Sequence, residues 1–109
     1  MLESLFEPPA KEKALLFIYA NGPSYAREIA RAFSLSLSAV QNQLLKLEAG
    51  GVLFSQLKGR VRLFALNPRY AFKNELERLL EKALEFVPEG RERGLYFRRT
   101  RPRRTGKPF

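Results

Sequence analysis

Residues 34–67 read SLSLSAVQNQLLKLEAGGVLFSQLKGRVRLFALN, and this stretch decides the fold. A helix over residues 36–49 is predicted because apolar side chains recur at helical spacing, at Leu37, Val40, Leu44 and Leu47. Ser36 is a favourable N-cap, since its hydroxyl can accept a hydrogen bond from a backbone N–H of the first turn. Gly50 and Gly51 end the helix, because glycine readily takes the left-handed conformation that follows many helices.

Two short β-type runs follow the glycines, at residues 52–57 and 61–66, and predict a hairpin turned over residues 58–60. A shorter helix is predicted before the block, at residues 25–33, with Ser24 as its cap. Helix, turn, capped helix and basic hairpin in this order are typical of a winged helix-turn-helix, which reads duplex DNA. We therefore expect a mainly α fold with a small hairpin (α+β), in the order helix–helix–helix–strand–strand–helix plus a basic tail.

Two longer helices flank this block. The first, at residues 9–21, is apolar on every side over residues 14–20, which predicts that a partner chain covers part of it. The last, at residues 69–87, has a continuous apolar stripe that begins at Phe72, so this helix either packs on its own domain or pairs with its twin in a dimer. The residues expected to form a homodimer interface are Leu15, Ile18, Tyr19, Phe72, Leu76, Leu79, Leu80 and Leu84.

Positive charge is concentrated near the C-terminal end of a chain whose net charge is +9. Residues 1–88 hold twelve basic and nine acidic residues, whereas residues 89–109 hold eight basic and two acidic residues. The Arg-rich end also lacks sustained periodicity, so we predict a winged-helix domain at residues 1–88 and a flexible tail at residues 89–109. This excess of charge indicates a polyanionic partner.

The residue types argue against several functions. Cysteine, histidine and aspartate are absent, and with them the common metal ligands, nucleophiles and catalytic bases. We therefore expect neither an enzyme nor a bound metal or cofactor. The longest apolar run, residues 14–20, is far shorter than the ~20 residues of a membrane span, and the N-terminus lacks the basic start of a signal peptide. A cytoplasmic protein without membrane contact is expected.

The candidate recognition surface is the side of helix 36–49 that lies opposite its apolar positions. With the cap, it presents Ser36, Ser38, Gln41, Asn42, Leu45 and Lys46. The amides of Gln41 and Asn42 can bind adenine bidentately in the major groove, and Ser38 suits a phosphate or a base edge. The alternative is that these polar side chains only solvate an exposed helix.

A single lysine on this helix is too sparse a charge to neutralise the phosphates of a duplex. The further candidates are Arg27 and Arg31 on the preceding helix and Lys58, Arg60 and Arg62 on the hairpin. The hairpin charges have an alternative role, which is to protect an edge strand from pairing with other chains. The tail adds Arg98, Arg99, Arg101, Arg103, Arg104 and Lys107, which would bind DNA, RNA or an anionic surface alike.

Residues 24–67 resemble the winged helix-turn-helix of ArsR-like bacterial transcriptional regulators. The resemblance is carried by AREIA at residues 26–30, LSAV at 37–40, LEAGGV at 47–52, the basic hairpin and LNP at 66–68. It implies a DNA-binding homodimer in which the first and last helices meet the partner. Metal-sensing members use Cys or His ligands, which this chain lacks. Residues 62–80 also resemble the winged-helix module found beside minimal nucleotidyltransferase domains, and that catalytic domain is not in this sequence.

Leu45 departs from the ArsR-like pattern, in which a polar or basic residue is usual at this position. Either the exposed face is less charged than is typical, or Leu45 contacts thymine methyls or a partner.

The leading hypothesis is sequence-specific binding of double-stranded DNA by a small dimeric transcriptional regulator. Helix 36–49 would lie in the major groove, with the hairpin and the tail on the phosphates. Two alternatives stay open: non-specific DNA or RNA binding driven by the tail, and a winged helix that serves as a protein-interaction module. No effector site is recognisable in the sequence.

Overall fold

The computed structural model describes residues 4–97. Over that range the chain forms five helices and three strands, in the order α1 (Pro9–Asn21), β1 (Ser24–Tyr25), α2 (Ala26–Phe33), α3 (Leu37–Ala49), β2 (Leu53–Lys58), β3 (Val61–Leu66), α4 (Lys73–Glu85) and α5 (Arg91–Tyr96). The predicted fold class and the order of its six elements are confirmed. Two elements, β1 and α5, are additional to the prediction.

The first helix of the helix-turn-helix, α2, begins at Ala26, and its N-cap is Tyr25 instead of the predicted Ser24. The Tyr25 N–H donates a hydrogen bond to the carboxylate of Glu28 (2.8 Å), which satisfies a backbone donor at the helix start. Ser24 lies one residue earlier, in β1, and its hydroxyl donates to the Gly22 carbonyl (2.8 Å). The prediction that Ser24 caps α2 is therefore wrong, because this residue is extended and buried in the sheet.

The second helix of the motif, α3, has the predicted cap and the predicted end. The Ala39 N–H donates to Ser36 Oγ (3.1 Å), so the side-chain cap forms as expected. At the other end, Gly51 takes a left-handed φ of +82° and the chain turns directly into β2. These local interactions define the two ends of α3.

The wing is the hairpin of β2 and β3, which belongs to a three-stranded antiparallel sheet in the order β1–β3–β2. Lys58 lies opposite Val61, which leaves Gly59 and Arg60 as a two-residue turn. Of these two residues, only Gly59 has a positive φ (+68°), which matches a type II′ turn. The twist of this turn type suits a tight hairpin. On the other edge of β3, β1 pairs Ser24 with Phe64, so the start of α2 is tied to the wing.

The apolar helix α1 lies at the centre of the molecule and is covered by its own chain. It contacts α2, α3, α4, α5, β1 and β3. The expectation that a partner chain must cover α1 is therefore wrong, because intrachain elements surround it. Among the predicted dimer residues, four are buried in this core: Leu15, Ile18, Leu80 and Leu84. These four side chains contribute to the stability of the domain and have no free surface for a second copy.

Helix α4 is shorter than the predicted range of 69–87, because residues 67–72 form turns. Asn67 organises these turns: its side-chain amide donates to the Gly51 carbonyl (3.0 Å), and its Oδ1 accepts from the Arg69 N–H (3.0 Å). Asn67 thus links the end of the wing to the junction between α3 and β2.

Helix α5 lies inside the range predicted as a flexible tail, and it packs on the domain. Tyr96 is only 3% exposed, and its ring lies 5.0 Å from that of Phe33. The Asn21 amide donates to the Tyr96 carbonyl, and the Arg93 guanidinium donates to the Leu84 carbonyl (2.7 Å). The predicted boundary at residue 88 is therefore too early, since the packed domain extends through α5.

Within residues 4–97, no helix has the length and apolarity to cross a membrane. The same range contains no cluster of three or more carboxylates that could hold a metal ion.

Candidate nucleic-acid interface

The face of α3 that was predicted to meet DNA is exposed. Its side chains are Ser38, Gln41, Asn42, Leu45 and Lys46. The opposite side of α3 packs on α1 and α2 through Val40, Leu44 and Leu47. Burial of that side fixes the rotation of α3 about its axis, so the polar face points away from the core.

Leu37 was predicted to lie on the buried side of α3, and the structure shows that it is exposed. Its side chain is 37% exposed and contributes to the wall of a surface groove, while Gln43 is buried on the core side. Leu37 is the first residue of α3, and no earlier helical turn covers it. An aliphatic residue is thereby added to the candidate interface.

The cap residue Ser36 is exposed at the N-terminus of α3. Its oxygen already accepts the Ala39 N–H, yet the hydroxyl hydrogen can still be donated to an anion. Ser36 can therefore cap the helix and contact a phosphate at the same time. A contact of this kind would position the helix without reading bases.

The wing brings its three predicted cations to the surface, at Lys58, Arg60 and Arg62. The guanidinium of Arg62 donates to Ser55 Oγ (3.1 Å), and the Ser55 hydroxyl donates to a carboxylate oxygen of Glu48 (2.7 Å). Glu48 belongs to the last turn of α3. This chain of hydrogen bonds holds the wing in a set position relative to α3.

A groove of about 380 Å³ lies between the exposed face of α3 and the wing. Five of the predicted DNA-binding residues line it: Arg27, Gln41, Leu45, Arg60 and Arg62. The remaining ones on α3, which are Ser36, Ser38, Asn42 and Lys46, are exposed outside it. None of the described residues that line the groove is acidic, so its walls attract an anionic partner.

The other predicted cations are further from this groove. Lys58 stands at the wing turn, and Arg31 is exposed one helical turn after Arg27 on α2. The five tail arginines, which are Arg98, Arg99, Arg101, Arg103 and Arg104, lie outside the described residues, as does Lys107.

Three exposed aliphatic residues of the groove were missing from the sequence-based set. They are Leu37, Leu57 and Val61. Leu57 and Val61 lie beside the hairpin turn, and their apolar character by itself predicts burial. The sequence does contain a signal for their exposure, which is their position next to the hairpin turn. The tip of a hairpin that projects from the domain is not covered by the helices.

The predicted dimer residues that are not in the core lie along or beside α4. Phe72 is 62% exposed, while Leu76, Leu79 and Tyr19 are partly buried. Partial burial, and then the nearby carboxylates of Glu81 and Glu77, raise the pKa of Tyr19. Phe86, at the other end of α4, is exposed as well. An apolar edge of α4 thus stays open after the chain has folded.

Solved structures with a similar fold include transcriptional regulators. The chain is similar to a double mutant of ZitR from Lactococcus lactis, with 26% identity over 78% of this chain and 61% of that one, at a TM-score of 0.54. It is also similar to AF1382 from Archaeoglobus fulgidus (19% identity, 82% and 98% covered, TM-score 0.59). A third is the transcriptional regulator Tm0710 from Thermotoga maritima (21% identity, 81% and 68% covered, TM-score 0.56).

This chain spans about three fifths of the length of the ZitR protein. No family model and no curated protein matches the chain. The structural neighbours support the winged-helix fold, and they do not single out the ArsR-like subtype.

Proposed function

We propose that this protein is a transcriptional regulator that binds double-stranded DNA in a sequence-specific way. The observation that carries the proposal is the exposed polar face of α3 beside a basic wing, across a groove without acidic walls. In this arrangement α3 enters the major groove, where Gln41 and Asn42 bind base edges. Arg27, Arg60 and the other cations then neutralise the flanking phosphates.

The regulator is proposed to act as a homodimer that places one α3 on each half-site. The apolar edge of α4, formed by Phe72, Leu76, Leu79 and Phe86, supports this assembly. Two copies related by a twofold axis would read a two-part DNA site, with the half-sites about one helical turn apart. Such a protein would work in the cytoplasm, without a catalytic step and without a metal.

The proposal is tested by selecting bound duplexes from a random library with the full-length protein. We expect a defined sequence to be enriched. The Asn42→Ala variant should relax the preference at one or two positions, because a bidentate contact to a base is worth about 1–3 kcal/mol. The matched control is Asn74→Ala, which removes an exposed asparagine from α4 and should leave the selected sequence unchanged.

The outcome separates this function from its rivals. Enrichment of no sequence, by a protein whose circular dichroism shows intact folding, would leave only non-specific binding by the charged residues. A folded protein that retains no nucleic acid at all would favour a protein-interaction module.

A further inference from the structure

Aliphatic side chains are unusually exposed on the face that carries the candidate interface. Leu45 is 50% exposed, Leu57 61% and Val61 50%, and Leu37 joins them on the walls of the same groove. These are four of the eight large hydrophobic residues that are exposed within residues 4–97. Their clustering calls for an occupant with apolar groups, since scattered exposure of single residues would need no explanation.

The charges around the groove restrict what that occupant is. Arg27 lies at the start of α2, and Arg60 and Arg62 lie on the wing, so cations flank the aliphatic walls on both sides. With no acidic residue on the described walls, the groove suits a polyanion that presents small apolar groups. Duplex DNA is such a ligand, because each thymine carries a methyl group into the major groove between phosphate rows.

The position of Leu45 on α3 matches this chemistry. Gln41 precedes Leu45 by four residues and Asn42 by three, so the three side chains are neighbours on one helix face. An amide that binds adenine lies in the same groove as the thymine methyls of that and the adjacent base pairs. Leu45 would thus contact a thymine methyl, while the neighbouring Gln41 and Asn42 would form hydrogen bonds with base edges.

We propose that this groove reads thymine through its C5 methyl group, with Leu45 as the residue in contact and Leu37 beside it. The inference rests on the proposed function and adds a base-specific contact to it. Burial of one methyl group in an aliphatic site corresponds to about a fourfold gain in affinity.

The test replaces thymine by deoxyuridine, which removes only the methyl group and keeps every hydrogen-bonding atom. Each thymine of the selected duplex is replaced in turn, and the affinity of the full-length protein is measured. We expect a loss of about fourfold at one or two positions per half-site and no change elsewhere. The Leu45→Ala variant should bind the thymine duplex more weakly and should no longer distinguish it from the uracil duplex.

Leu45 is half exposed, so its truncation leaves the core intact, and a thermal melt verifies this. Asn74→Ala is the matched control, which should keep the full difference between thymine and uracil.

Equal affinity for the thymine duplex and all uracil duplexes, with sequence preference retained, would overturn the inference and leave the proposed function standing. Loss of all sequence preference in the wild type would refute both together.

Discussion

At the scale of single residues, Tyr96 shows how packing changes the chemistry of a side chain. Its ring is buried beside Phe33, in a site where a phenolate would be poorly solvated. Burial, followed by the negative charges of Glu12 and Glu92, raises the pKa of Tyr96 above its ordinary range. The neutral form is therefore favoured in the folded state relative to the unfolded chain.

A pH dependence follows from this shift. Below the ordinary tyrosine pKa of about 10, Tyr96 is neutral in both states and its stabilising contribution is complete. Above about pH 10 the unfolded chain loses the proton first, so the free energy of unfolding falls by up to about 1.4 kcal/mol per pH unit. We expect the wild type to lose more stability between about pH 9 and 11 than Tyr96→Phe does, in denaturant titrations at each pH. Parallel curves for the two proteins would show that Tyr96 ionises freely.

The candidate interface was also predictable at this scale, though only in part. The polar face of α3 follows from helical periodicity, so Gln41 and Asn42 were identified from spacing alone. Leu37 was assigned to the core by the same rule. Periodicity gives the direction of a side chain, and it cannot tell whether the neighbouring element extends far enough to cover it.

At the scale of elements, α4 has two apolar sides with different roles. Leu80 and Leu84 are buried in the core, whereas Phe72 and Phe86 stay exposed at the ends of the helix. In the sequence, Phe72, Leu80 and Leu84 belong to one continuous apolar stripe. Only the packing of α4 on α1 divides the stripe into a core side and an open edge.

The open edge of α4 predicts dimerisation. We expect light scattering at micromolar concentration to give a molar mass of about 25 kDa, twice that of the 12.6 kDa chain. Phe72→Ser should weaken the dimer by about 1.5–3 kcal/mol, because it removes a phenyl ring from the interface. Phe97→Ser, which changes a comparably exposed phenylalanine after α5, is the control and should keep the wild-type mass. A wild-type monomer would argue against this role of α4.

At the scale of the whole molecule, α5 is the last element that packs on the domain within the described residues. Tyr96 closes one side of the core, and Arg93 anchors α5 to the end of α4 through the Leu84 carbonyl. The Arg-rich segment predicted as a single tail therefore has two parts. Residues 91–97 belong to the domain, whereas residues 98–109 carry six further Lys and Arg residues.

Two truncations distinguish these parts. A chain that ends at residue 97 should unfold at the same temperature as the full chain. Its affinity for every duplex should fall, and the salt dependence should become flatter by about one unit for each phosphate that is no longer neutralised. A chain that ends at residue 88 should lose about 3–5 kcal/mol of stability as well, because the buried Tyr96 is removed. Equal melting temperatures for the two truncations would show that α5 does not stabilise the core.

The sequence by itself determined the elements whose signals are local. The bounds of α1, the Ser36 cap, the glycines after α3 and the two-stranded wing depend on residues only a few positions apart. Such signals act through backbone preferences and nearby hydrogen bonds, so they can be interpreted without knowing the rest of the fold.

Only the tertiary structure decided how those elements cover one another. The pairing of β1 with β3, the packing of α5 on α1 and α2, and the burial of α1 by its own chain all join residues far apart in sequence. The groove between α3 and the wing is of the same kind, since its walls come from three separate segments. Contacts of this range depend on the mutual fit of whole elements, and no local pattern specifies that fit.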